Sequence, residues 1–302
     1  MPRTFFGPYT EKYSDYANGG NANLGRWPLG HILILPDHRE YRFTLNDGTV
    51  EIAGNLYQSV AAVADHNNTT ADVARAVGAT AISSTLGATA AAVDIYAEGV
   101  VHVNDVDGEG YSYRIRRAMT AGAAHASAAT SSVLTVNLEP GDSVQVALTT
   151  ASNVSYTRNR YHRTTIHVGP PTALLTGVSP GVAALDRFYW SQIKGYAAVL
   201  ADLTLLAGLP VQAAIGANGS VETVKRRLQI TTTGSVLTAG TAWRAEVVEQ
   251  DGNATALFMA VSVSSATVFD ATGGIANNAP PVGMCVKANA STDFALIDLN
   301  IL

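Results

Sequence analysis

Apolar and polar residues alternate in short runs along most of the chain, and each run stops at Gly, Asn, Asp or Pro. Tyr41-Arg42-Phe43-Thr44-Leu45 is such a run, closed by the turn-forming Asn46-Asp47-Gly48. Val100-Val101-His102-Val103 and Tyr111-Ser112-Tyr113-Arg114-Ile115 flank a Gly-containing loop and predict a hairpin. Residues 133–138 and 143–148 flank Glu139-Pro140-Gly141-Asp142, whose Pro-Gly centre is turn chemistry. Further strands are predicted at 164–168, 187–193, 196–200, 211–215, 220–224, 243–248, 256–263, 282–287 and 294–299. Lys194-Gly195 and Asn218-Gly219 are the expected hairpin turns among them. Short strands at intervals of roughly 8–12 residues indicate an all-β protein of sandwich or barrel type.

The best helical candidate is residues 71–77 after Thr69-Thr70, one or two turns long. No amphipathic segment reaches the length of a spine helix. Gly169-Pro170-Pro171 is a natural boundary, so the expected organisation is a β domain at 41–169 and a second at 170–302. Residues 1–40 read differently: Phe5, Phe6, Tyr9, Tyr13, Tyr16 and Trp27 are scattered among Gly, Asn and Pro without a helical or strand period. An extended arm fits this pattern, its rings either anchoring on a neighbouring subunit or folding back over its own domain.

Composition narrows the function classes. Hydrophobic residues make up 47 % of the 302, enough for a substantial core, but charged residues are only 14 %, against about 25 % in an average globular protein. Such a chain has a surface of uncharged polar residues or buries part of it against other subunits. The net charge is −5 and the one basic cluster is Lys225-Arg226-Arg227, too small to track a phosphate backbone, so nucleic acid is not an expected partner. The single cysteine, Cys285, lies in an apolar run and reads as a small buried hydrophobe. No signal core and no stretch of transmembrane length is present, which predicts synthesis in the cytoplasm and no membrane partner.

Local tests for chemistry fail one after another. Gly177-Val178-Ser179-Pro180-Gly181 matches the nucleophile elbow G-x-S-x-G, but the oxyanion hole of that elbow needs the N–H of the residue after the serine, and proline has none. Asp105, Asp107 and Glu109 supply only a fragment of a calcium loop. His162 and His167, five apart, fall on opposite faces of a strand. No catalytic residue, metal site or cofactor is therefore expected.

Several phrases together resemble virion structural proteins of tailed bacteriophages, especially capsid decoration (cement) proteins. They are Gly78-Ala79-Thr80-Ala81-Ile82, Tyr96-Ala97-Glu98-Gly99-Val100, Gly108-Glu109-Gly110-Tyr111, Leu138-Glu139-Pro140-Gly141-Asp142, Phe188-Tyr189-Trp190-Ser191-Gln192-Ile193-Lys194-Gly195, Pro281-Val282-Gly283-Met284 and Phe294-Ala295-Leu296-Ile297. The resemblance implies small β-barrels assembled as a homo-oligomer, often a trimer, on the outer surface of the head shell. The partner would be the lattice of the major capsid protein. The aromatic arm departs from the most compact members of that group. The missing spine helix argues against the coat subunit itself, and a tail tube, spike or glycan-binding β module of the virion is the alternative. Exposure of Tyr161, Trp190 or Trp243 would support a glycan-binding module, but large aromatics dominate burial energetics, so these three are expected in the core or an interface.

Overall fold

The computed structural model describes residues 4–6, 27–118, 120–202, 204–224, 281–288 and 293–301. The predicted strands at 243–248 and 256–263, Trp243, the basic triplet at 225–227 and Tyr9, Tyr13 and Tyr16 lie outside these residues. The described fold is all-β, built on a curled, mostly antiparallel half-barrel sheet.

The chain opens with β1 (Thr4–Phe6), β2 (Ile32–Ile34), β3 (Glu40–Leu45) and β4 (Leu56–Gln58). It then leaves the sheet to form β5 (Thr69–Thr70), β6 (Ala81–Thr85), β7 (Val100–Asp105), β8 (Ser112–Arg114), β9 (Val133–Asn137) and β10 (Asn153–Thr157). It returns as β11 (Thr165–Ile166), β12 (Leu175–Val178), β13 (Phe188–Leu200), β14 (Pro210–Ala213), β15 (Val221–Thr223), β16 (Pro281–Lys287) and β17 (Phe294–Asn300). The first and third groups form one 11-stranded sheet with the path β1-β2-β3-β13-β17-β16-β14-β15, to which β4, β11 and β12 are added. The middle group forms a four-stranded sheet, β5-β10-β7-β8, and the β6-β9 pair.

The boundary expected at residue 169 therefore does not divide the strands. Strand β3 pairs along its length with β13, Phe43 opposite Trp190, so the halves on either side of Gly169 share one sheet. What is separate is the inserted module β5–β10. Its core, including Ile82, Tyr96, Val101, Tyr113, Leu134, Val136 and Tyr156, draws every member from within the insertion. The sheet has two clusters of its own. Tyr41, Phe43, Leu45, Phe188 and Trp190 form one, and Val199, Val211, Val282, Ile297 and Leu299 belong to the other.

Alternation explains most of these elements. Tyr41, Phe43 and Leu45 are fully buried along β3, and Ala295, Ile297 and Leu299 are buried along β17 while Phe294, Asp298 and Asn300 face outward. The predicted β7–β8 and β14–β15 hairpins form, and the last two strands, β16 and β17, pair with each other.

Three local expectations are corrected. Residues 71–77 are not helical. Ala71 and Arg75 instead make bridges to Ser84 and Leu148, an environment in which the strands of the insertion outcompete a helix too short to persist alone. Residues 143–148 do not return beside β9, although the turn itself forms through the Asp142 N–H to Glu139 carbonyl bond of 2.8 Å. The partner of β9 is β6.

Lys194-Gly195 is not a hairpin turn either, because β13 runs through it for 13 residues. A register shift between Gln192 and Lys194 bends the strand there. The Gln192 amide donates to the carbonyls of Lys194, Gly195 and Tyr196 at 3.1, 3.3 and 3.0 Å, holding the bend. Gly195 has φ +81°, and a Cβ there would meet Arg39 Cγ at 2.9 Å. A left-handed glycine serves a bulge as readily as a turn. At this bend β13 exchanges β3 for β17 as its partner, which curls the sheet.

Candidate interaction surface

The described part of the arm lies on its own domain. The backbone of β1 pairs in parallel with β2, Phe5 opposite Leu33 and Phe6 opposite Ile34. Trp27 stacks on His31 at 5.1 Å with 4° between the rings and packs, with Tyr161, against the Tyr41–Trp190 cluster. Residues 27–40 thus belong to the sheet domain rather than to a projecting arm. Their aromatic content, without a period, was compatible with either placement.

The exposed apolar surface is elsewhere. Beyond the bend in β13, alternation places Tyr196 and Ala198 outward, with Phe294 on β17 and Met284 and Val286 on β16. Tyr196, Phe294 and Met284 are 59 %, 45 % and 44 % exposed. The register puts Tyr196 opposite Asp298, and Asp298 opposite Met284, so these side chains form one continuous face. Tyr196 stands between two depressions. One of about 780 Å³ is bordered by His38, Lys194, Met284 and Asp298. The other, about 340 Å³, is bordered by Arg39, Pro180, Ala198 and Phe294. The loop carrying Arg39 closes over Gly195 and is pinned by the Arg39–Asp37 ion pair at 2.6 Å. A second aliphatic patch, Val50, Ile52, Val182 and Leu185, brackets the Glu51–Ala183 bridge.

The residues tested for chemistry take structural places. Ser179 is buried and its hydroxyl donates to the Gly181 carbonyl at 2.6 Å. Asp105 and Asp107 are exposed on the β7–β8 loop, where an Asp105 oxygen accepts the Val106 N–H at 2.8 Å. Among the described residues no group of three or more His, Cys, Asp and Glu side chains is arranged to hold a metal ion. His167 accepts the Gly219 N–H at Nδ1 (2.8 Å) and donates from Nε2 to the Ala214 carbonyl (3.1 Å), tying β11 to the β14–β15 hairpin. His162 is pushed down to about 3 by burial and by the nearby Arg163 and Arg158 charges. Trp190 is fully buried in the core, the placement expected of a large aromatic, and Tyr161 is half-buried beside Gly30.

One buried polar centre and two separate buried carboxyls were not legible from local patterns. In the inserted module the Tyr96 hydroxyl hydrogen-bonds His66 Nδ1, while the Tyr96 N–H donates to His125 Nε2 at 3.0 Å. The other ring nitrogens face the Thr89 and Ala126 carbonyls, each at 2.8 Å, so both imidazoles are satisfied in their neutral forms. The two carboxyls lie in different parts of the fold. Burial raises Glu51 to about 8, against a hydrogen bond from Tyr57, and raises Glu98 to about 7, against Arg117 and Arg114. Glu51 Oε2 has no hydrogen-bond partner. No helix among the described residues is long and apolar enough to cross a membrane. No protein-family model matches the chain, and no curated protein or solved structure matches it.

Proposed function

We propose that the chain is a virion structural protein that decorates and stabilises the assembled head shell of a tailed bacteriophage. It would sit on the outer surface of the capsid as a homo-oligomer, a trimer being the form the resemblance implies. The observation that carries this reading is the set of exposed apolar side chains Tyr196, Phe294, Met284 and Val286 on three neighbouring hydrogen-bonded strands. Large exposed apolar patches rimmed by polar groups mark protein contact surfaces. A rigid sheet presents such a patch with little ordering cost on binding. The low charge content supports the same reading, because burying an uncharged surface carries a small desolvation penalty. A protein that binds the assembled lattice and not free coat subunits stabilises the shell by mass action.

The test is co-purification with intact particles and the ratio to the coat subunit. Deletion of residues 1–26, which spares Trp27 and Leu29, is expected to weaken particle binding while leaving a folded β protein, and undiminished binding by the truncated chain overturns the arm's role. A glycan-binding module of the virion is the second reading, favoured by the depression beside Tyr196, whose exposed ring is a surface on which a sugar can stack. A glycan-array signal from the isolated protein would select it.

A further inference from the structure

Strand β13 changes partners at its bend, and the change leaves part of one edge uncovered. Toward β17, the Ala201 N–H donates to the Asp293 carbonyl and the Ile193 carbonyl accepts the Ile301 N–H, each at 3.0 Å. Carried along the register between the strands, this pattern gives the backbone bonds to Gly195, Ala197 and Val199. Tyr196 and Ala198, the alternate residues, direct theirs to the opposite edge. That edge is held by β3 as far as Lys194, which pairs with Glu40. It is held again at Leu200, whose N–H donates to the Gly54 carbonyl at 2.9 Å. Between these points the Gln192 amide caps the Tyr196 carbonyl at 3.0 Å. The N–H groups of Tyr196 and Ala198 and the Ala198 carbonyl have no partner among the described residues. The depression of about 340 Å³ lies against this stretch, bordered by Arg39, Gly54, Ser179 and Pro180.

We propose that this edge is a strand-addition site for a short extended segment of a partner polypeptide, uncharged and bearing apolar side chains. The proposal rests on the reading above, naming what the exposed sheet binds, but its test needs no particle. Two donors on alternate residues of a strand stand about 7 Å apart, the repeat at which an extended chain turns successive carbonyls to one side. An unpaired edge is a template for another strand, with main-chain bonds supplying affinity and alternate side chains specificity. The surroundings set the chemistry of that strand. Tyr196 exposes its ring beside the depression, and Ala53, Pro180 and Ala198 line it with small apolar surface. The cations at its β3 end are already bound, Arg39 to Asp37 at 2.6 Å and Lys194 to Glu40 at 2.9 Å. Neither calls for an acidic ligand.

Amide hydrogen exchange on the full chain reads this edge residue by residue. Tyr196 and Ala198 are expected to exchange about a hundredfold faster than Ala197 and Val199, which are bonded to β17. Comparable protection of all four overturns the open edge. The binding probe is a library of random linear peptides selected on the immobilised full chain, with the binders resynthesised with blocked ends. They are expected to alternate apolar with uncharged polar residues and to slow Tyr196 and Ala198 about tenfold or more at saturation. Failure to select a binder, or binders that leave these two amides fast, overturns the site, as does protection by a glycan in place of a peptide. Ala198→Pro removes one donor without touching the β17 ladder, because that N–H faces the open edge. The selected peptides should then bind about tenfold more weakly, and unchanged affinity overturns the proposal. If the variant does not fold, amide protection in the unchanged chain decides. Peptide binding without co-purification with particles would keep the strand-addition site and remove the virion reading.

Discussion

The inserted module and the curled sheet solve the same problem in opposite ways. In the module, strands β5–β10 close around a core taken wholly from the insertion, and its outward residues are mostly small or polar. In the sheet, β3 finds its partner in β13, more than a hundred residues later, and the strands beyond the bend in β13 keep an apolar face uncovered. A closed unit needs nothing further to be stable, whereas an open one has surface left with which to bind. The contrast is the reason for proposing an interaction face on β13, β17 and β16 and an architectural role for the insertion.

The largest expected effect tests whether the two cores are separate. Trp190 is fully buried and packs edge-on against Phe43 at 5.0 Å, so Trp190→Ala is expected to cost about 3–5 kcal/mol in denaturant unfolding. Hydrogen exchange should show the loss in β3 and β13, while amides beside Leu134 and Val136 in the insertion keep most of their protection. Simultaneous loss in both regions would mean that they form one cooperative unit.

What the sequence disclosed divides along the same line. Alternation found β3, β7, β8 and β17 because each has one buried face, as Tyr41, Phe43 and Leu45 illustrate. It did not reveal that β3 belongs with β13, since a strand's period names its faces and not its partner. Lys194-Gly195 misled because a glycine at φ +81° satisfies a bulge as well as a turn. The Tyr96 hub was hidden for a simpler reason: His66 and His125 are 59 residues apart and meet only through folding. Glu98 looked like an ordinary charged residue beside a glycine, and only its burial against Leu29 marks it out. The apolar face around Tyr196 was visible as strands, but which alternate residues would be left uncovered depends on the layers behind them.

A smaller effect separates the carboxyl of the sheet from that of the insertion. Glu51 is buried under Val50 and Ile52, with Tyr57, Tyr189 and Asp47 around it and no cation among the causes that set its titration. Its folded value of about 8 lies above the ordinary 4.5, so its contribution to stability is fully present below pH 4.5 and declines until pH 8. Between pH 5 and pH 7 the decline should be about 2–3 kcal/mol, and Glu51→Gln should remove it. Thermal or urea unfolding of both proteins across that range measures the difference. An unchanged pH slope in the variant would locate the titrating group elsewhere, with Glu98 as the next to examine.

The smallest effect on stability bears most directly on function. Tyr196 and Tyr111 are comparably exposed tyrosines, at 59 % and 43 %, one on the open sheet face and the other on the insertion. Replacing either by Ser should change unfolding free energy by no more than about 0.5 kcal/mol, since neither side chain holds a core together. If the apolar face is the contact surface, Tyr196→Ser weakens particle association and Tyr111→Ser leaves it intact. Cosedimentation of the two variants with particles, at matched concentration, compares them directly. Because both proteins remain folded, loss of binding in one alone cannot be attributed to misfolding. Equal binding by both would remove the open face from the interface, and the reverse order would move the interface onto the insertion.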